Sequence, residues 1–243
     1  MALRGHCGQS GAASSWNFVY SGAGNIAVGD LVIVATYQNG GTGAFTVTGP
    51  GASFTAGTAL SPTVGGTVNG NQWGINVAIA AAGDVGTPTY ATSSSVGGGS
   101  YVQQILVYSG RVHTSIAAAY GNSAQSTQAT PGSNPYTYAM TGLTALANDD
   151  IIIVNPIGPA TGTGQTFTTS ASGYTDMLDT TVGTTNTPAL NSLDSLNVAG
   201  GATGTINVQF TATGGSANNW LVGGFVMALP ASSAQNKTWL WKA

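Results

Sequence analysis

Charge is what this chain most lacks. Of its 243 residues, four are basic (Arg4, Arg111, Lys237, Lys242) and seven acidic, and every acid is Asp, with no Glu. Charged residues make up 5% of the chain, against about a quarter in an ordinary soluble domain. Acid–base and nucleophilic chemistry draw on Asp, Glu, His, Lys and Cys, so little catalytic material is present. Four cations do not make the basic face that phosphate neutralisation requires, and nucleic-acid binding is excluded on that ground. Cys7 is the only cysteine, so no intrachain disulfide forms. No apolar run approaches the roughly 18 residues of a membrane span; the longest, 75–82 and 220–230, are strand-length. Residues 1–9 carry a charge but no apolar stretch behind it, so no secretory signal is expected.

What remains is Gly, Thr, Ser, Ala and Val. Hydrophobic residues reach 42% and mean hydropathy is +0.16, the opposite of the apolar-poor, highly charged balance of disordered chains. Apolar and β-branched runs are predicted as strands at 16–20, 30–37, 44–48, 72–80, 101–109, 135–140, 150–155, 165–169, 205–213, 219–229 and 238–241. Between them lie turn residues such as Asn39-Gly40-Gly41, Gly49-Pro50-Gly51 and Gly97-Gly98-Gly99. Helix signals are scarce; 115–120 is Ala-rich but too short. The expectation is an all-β, antiparallel β-sandwich.

Two runs, Leu31-Val32-Ile33-Val34-Ala35 and Ile151-Ile152-Ile153-Val154, are apolar at every position. Such strands are covered on both faces, here by a second sheet on one side and by loops or another subunit on the other. Residues 205–213 instead alternate, as a strand with one wet face does. A faint echo links the halves. The run Gly29-Asp30-Leu31-Val32-Ile33-Val34 resembles Asp149-Asp150-Ile151-Ile152-Ile153-Val154, and the Trp-led strand after Gln72 resembles the one after Asn219. Either buried strands simply look alike, or the sandwich contains related central strands.

Several segments, in order, resemble a jelly-roll-like β-sandwich module of bacteriophage virion structural proteins, of the decoration and tail-fibre kind. They are Val28-Gly29-Asp30-Leu31-Val32-Ile33-Val34-Ala35, the strand through Val77 to Asp84, and Val107-Tyr108-Ser109-Gly110-Arg111-Val112. Asn148-Asp149-Asp150-Ile151-Ile152-Ile153-Val154 and the closing strand ending Met227-Ala228-Leu229-Pro230 complete the set. The resemblance spans roughly 14–231. It implies a jelly-roll-like fold, no catalytic residues, and a virion surface, fibre or adhesion context. A virion assembled in the host cytoplasm also reconciles the extracellular-looking composition with the expected lack of an export signal. The apolar strand faces and the tail with Trp239 and Trp241 add the expectation of a homo-oligomer, a trimer foremost, docking on other virion proteins.

No constellation in the chain meets the needs of a catalyst. Asp149 and Asp150 are adjacent on a strand, where neighbours face opposite ways. Asp176 and Asp179 fall within one short stretch; a solvated turn with Asx hydrogen bonds, a Ca²⁺ site or a carboxylate pair would each use them. His6 beside Cys7 is two ligands, short of a four-ligand metal site. No catalytic, cofactor or metal residue is therefore assigned. Tyr136, Tyr138 and Tyr174, with Asp176 and Asp179, could stack and hydrogen-bond a surface glycan; core or subunit packing is the other use of such tyrosines. Alternating Thr in Thr46-Val47-Thr48 and Thr211-Ala212-Thr213 would suggest ice binding only if such threonines were regularly ranked on a flat face, and no regular period is present.

The C-terminal segment stands out. After Pro230, residues 231–236 are polar, and Lys237-Thr238-Trp239-Leu240-Trp241-Lys242-Ala243 follows. Trp239, Leu240 and Trp241, bracketed by Lys237 and Lys242, either fold back on their own domain or add a strand to a neighbouring subunit. The expected organisation is an N-terminal arm over 1–14, one sandwich over 15–230 and an aromatic arm over 231–243.

Overall fold

The computed structural model describes residues 2–38, 45–51, 55–56, 65–68, 71–94, 99–109, 122–129, 136–140, 144–145, 150–160, 166–181, 187–195, 201–202, 205–213 and 221–229. In order, the strands of the first half are β1 (Ala2–Ala13), β2 (Ser15–Val19), β3 (Leu31–Gln38), β4 (Phe45–Thr48), β5 (Thr55–Ala56), β6 (Gly65–Val68), β7 (Asn71–Ile79), β8 (Thr89–Ser94) and β9 (Gly99–Ser109). Those of the second are β10 (Asn122–Ala129), β11 (Tyr136–Met140), β12 (Thr144–Ala145), β13 (Asp150–Ala160), β14 (Thr166–Ala171), β15 (Thr175–Thr181), β16 (Thr187–Ser195), β17 (Gly201–Ala202), β18 (Ile206–Thr213) and β19 (Leu221–Leu229). Among the described residues the helical content is one 3₁₀ turn, Ala82–Asp84. Every strand pairing is antiparallel, and the all-β sandwich expectation holds.

The sheets repeat one order twice. In the first half β1-β9-β3-β7 form a sheet that β5 and β6 extend by pairing with β7, and β2-β8-β4 form a second. In the second half β10-β19-β13-β16-β15 stand in the first arrangement and β11-β18-β14 in the second. Even the short β12–β17 pair has a counterpart, the isolated bridge Ile26–Gly86. Registers agree as well: Leu31 lies between Ile79 and Tyr108, and Ile151 between Ser195 and Ala228. Asp30 and Asp150, each ahead of that apolar position, stand 120 positions apart and are both buried.

Each half closes its own sandwich. Phe18, Val47 and Tyr90 from the three-stranded sheet meet Cys7, Val32, Val34, Ile105 and Val107 from the larger one. Fully burying each such side chain stabilises by roughly 1.5–3 kcal/mol. Tyr101 stacks on Trp16 at 3.8 Å with planes 6° apart, and Phe45 meets Trp16 edge-on at 6.3 Å. In the second half β14 lies against β15 and β16, and β11 against β10 and β19.

The two larger sheets then cover each other: β1 and β9 meet β15, while β9 and β3 meet β16. This explains the fully apolar runs. On β3, Val32 and Val34 fill the first sandwich. By alternation, Leu31, Ile33, Ala35 and Tyr37 turn the other way, and each is at most 1% exposed. The expected outer cover, loops or another subunit, is supplied instead by the second half of the same chain.

Residues 2–13, read as an arm, form the edge strand β1, paired with β9 from Ala2–Ser109 to Ala13–Gly99. Arg4 pins it, its Nε 2.5 Å from Asp30 Oδ2 and its Nη2 donating to Oδ1 at 3.1 Å. Asp30 Oδ2 also accepts from the Ala27 amide at 2.8 Å.

Candidate functional site

Two places concentrate polar groups. The first is buried where the halves meet. Gln104, in the middle of apolar β9, is completely buried. Its Nε2 lies within donating distance of Leu190 O at 2.6 Å and of Leu178 O and Thr180 Oγ1, each at 3.0 Å. The Ser192 hydroxyl donates to its Oε1. Four positions further along β9, the Tyr108 hydroxyl donates to Asp194 Oδ2 at 3.4 Å. Burial pushes the Tyr108 phenol well above its ordinary value, and the charges of Asp194 and Asp150 add to that. The Asp194 carboxyl is pushed up to about 6, first by burial and then by the charge of Asp150, against the hydrogen bond from Tyr108 that lowers it. At Gly8, on β1, a Cβ would stand 2.2 Å from Thr180 Oγ1; only glycine lets the edge strand approach β15 this closely.

This cluster is closed to solvent. It can hold the halves in one register, because every polar group must find its partner, but it offers no access to a substrate.

The second place is open. The outer face of the β2-β8-β4 sheet carries a groove of about 310 Å³ lined by Ser15, Trp16, Asn17, Thr46, Thr48, Ala91, Thr92 and Ser93. Register puts Ser15, Ser93 and Thr46 in one cross-strand row and Asn17, Ala91 and Thr48 in the next. All six are exposed. Within the groove the central strand β8 presents the small Ala91 and Ser93 on its outer face, so the groove runs along it between Asn17 and the two threonines. Beneath, Trp16 is fixed by its stack on Tyr101 and by its Nε1 donating to Gln103 Oε1 at 2.8 Å. Gln103 Nε2 donates in turn to Thr36 Oγ1 at 2.9 Å and Thr92 Oγ1 at 2.8 Å. No lining residue is charged.

The residues singled out for a glycan do not share one strand neighbourhood. Tyr136 and Tyr138 lie on β11, opposite Phe210 and the buried Val208 of β18. Asp176 and Asp179 lie on β15, paired with Leu193 and Asn191 of β16, and the stretch read as a turn is largely strand. Tyr174 is half-buried just ahead of β15, its amide donating to Ala171 O at 3.0 Å, and burial raises its phenol. Strand β11 lies against β10 and β19, at the end of their sheet opposite β15. Lys237, Trp239, Leu240, Trp241 and Lys242 lie outside the described residues.

His6 and Cys7 do not converge. Cys7 is buried in the first core, its thiol raised mainly by burial, and His6 occupies the alternate position on β1. Among the described residues no group of three or more His, Cys, Asp or Glu is placed to hold a metal ion.

Gln104, Ser192, Thr180 and the Tyr108–Asp194 pair escape sequence reasoning. One signal was there: two adjacent glutamines, Gln103 and Gln104, inside an apolar strand, each needing a buried partner. No protein-family model, curated protein or solved structure matches the chain.

Proposed function

We propose that this chain is a non-enzymatic structural protein of a bacteriophage virion, decorating the capsid surface or building a tail or fibre appendage by self-assembly and docking. The observation that carries this reading is the double sandwich itself. One chain stacks four β layers, and its charge is confined to 5% of its residues. Such a body depends on few titratable contacts, as a particle exposed to changing pH and salt requires.

Strand order supports a jelly-roll reading of each half. In the first half the first, last, third and seventh strands share one sheet and the second, eighth and fourth the other. In the second half β10, β19, β13 and β16 share one and β11, β18 and β14 the other, an interleaving expected of a double-sheet jelly roll. Low net charge, −3, leaves self-association electrostatically unopposed. In this reading the Trp239/Trp241 segment anchors in a neighbouring subunit of a homo-oligomer, a trimer foremost, or in another virion protein. Removal of residues 237–243 tests it. Loss of oligomer size by light scattering is expected; unchanged size and unchanged docking on particles would refute the anchoring role.

The competing reading, an adhesion module for a host surface glycan, is favoured by one feature, the uncharged groove over β8.

A further inference from the structure

We infer that the groove along β8 is a binding site for a neutral saccharide of one or two rings, seated between Asn17 of β2 and Thr46 and Thr48 of β4. This rests on the adhesion reading for its ligand class, but it stands whether or not the chain assembles.

Strand β8 is the middle strand of its sheet, hydrogen-bonded to β2 on one side and β4 on the other. Its backbone groups are occupied, so a peptide cannot join as an added strand. Only side chains are left to recognise a ligand. Apart from Trp16 and Ala91, those side chains are hydroxyls and one amide, each both donating and accepting, which is the complement of a sugar's ring of hydroxyls. No lining residue carries charge, so phosphate, sulfate and carboxylate ligands gain nothing there. The face is also too polar to dock a second copy by apolar burial.

Dimensions agree. From β2 across β8 to β4 is two strand spacings, about 9.5 Å, and the two polar rows stand about 6.7 Å apart along the strands. A volume near 310 Å³ is at the lower end of pockets that hold small ligands. Trp16 forms part of the groove lining and is held from below by Tyr101 and Gln103, giving the site a rigid base. The corresponding sheet of the second half is different. Its central strand β18 presents the long Asn207 and Gln209, both exposed, where β8 presents Ser93 and Ala91. The site is therefore assigned to the first half alone.

The test is titration of the full chain with millimolar maltose, cellobiose and N,N′-diacetylchitobiose, followed by NMR chemical shifts. Ala91→Trp fills the groove from an exposed position on a strand that tolerates aromatics; Ser170→Trp places the same bulk on the outer sheet of the second half as a control. At least one probe is expected to bind, insensitive to salt, with Ala91→Trp weakening it at least ~10-fold, about 1.4 kcal/mol, and Ser170→Trp leaving it unchanged. Asn17→Ala, a smaller change, is expected to weaken it several-fold, so a folding defect in Ala91→Trp would not shield the inference. Binding by none of the three sugars, or binding that Ala91→Trp and Asn17→Ala leave intact, would overturn it. Native mass is read on the same variants: lost binding at unchanged mass separates the groove from assembly.

Discussion

Asp194 should make the protein less stable as pH rises, the reverse of the usual carboxylate effect. Its carboxyl is held near 6 in the fold, against an ordinary 3.8, so between these values the folded state binds more protons than the unfolded one. The stabilisation is complete below about 3.8 and is lost as pH climbs through about 6. At 1.36 kcal/mol per pKa unit the full difference is about 3 kcal/mol. Relaxation and water reaching the rim of the interface reduce the expected loss to about 1–2 kcal/mol. Asp194→Asn removes the charge and keeps an oxygen for the Tyr108 hydroxyl to donate to. It should match the parent near pH 4 and exceed it by about 1–2 kcal/mol near pH 8. Urea denaturation across that range, with the variant-minus-parent difference as the readout, cancels the other carboxylates. A variant less stable than the parent near pH 8, or a difference that does not change with pH, would refute the reasoning.

Other positions give independent checks. Gln104→Leu leaves the buried Ser192 hydroxyl and the Leu178 and Leu190 carbonyls without that partner; at about 1–3 kcal/mol per orphaned group, a loss of about 3 kcal/mol in urea unfolding is expected. Gly8→Ala drives a Cβ against Thr180 and should cost about 1–3 kcal/mol by overpacking, with Thr180→Ala in the same chain recovering part of it. Asp30→Ala strips both Arg4 and the Ala27 amide of their acceptor; hydrogen exchange should rise along β1 before it rises in β3, and uniform protection of both strands would contradict the pinning role.

Much of the fold could be read from apolar pattern alone. Strands β3 and β13 are all-apolar because they are covered on both faces, and their likeness is a true correspondence in strand order. The second half of the echo misleads. Its Trp-led strands fall on β7 and β19, whereas by place in the sheets β7 corresponds to β16 and β9 to β19. The physical cause is visible in β16, Thr187–Ser195. It faces the interface with Ser192 and Asp194, so its apolar signature is diluted by the groups that receive Gln104 and Tyr108. Strands β8 and β10 were missed for a related reason. Their residues, TYATSS and NSAQSTQA, are mostly hydroxyl or amide, which leaves too few apolar positions to announce a strand; in β8 the cause is a wet face at Thr89, Ala91 and Ser93. The groove over β8 was invisible because it is a property of three strands in register. Ser15, Thr46 and Ser93 are far apart in sequence and meet only through pairing.

Self-assembly of this sparsely charged double sandwich is tested most directly by native mass in solution, by size-exclusion chromatography with light scattering. The account predicts a closed assembly of three or more 24.1 kDa chains. A stable single chain of 24.1 kDa at every concentration would contradict it.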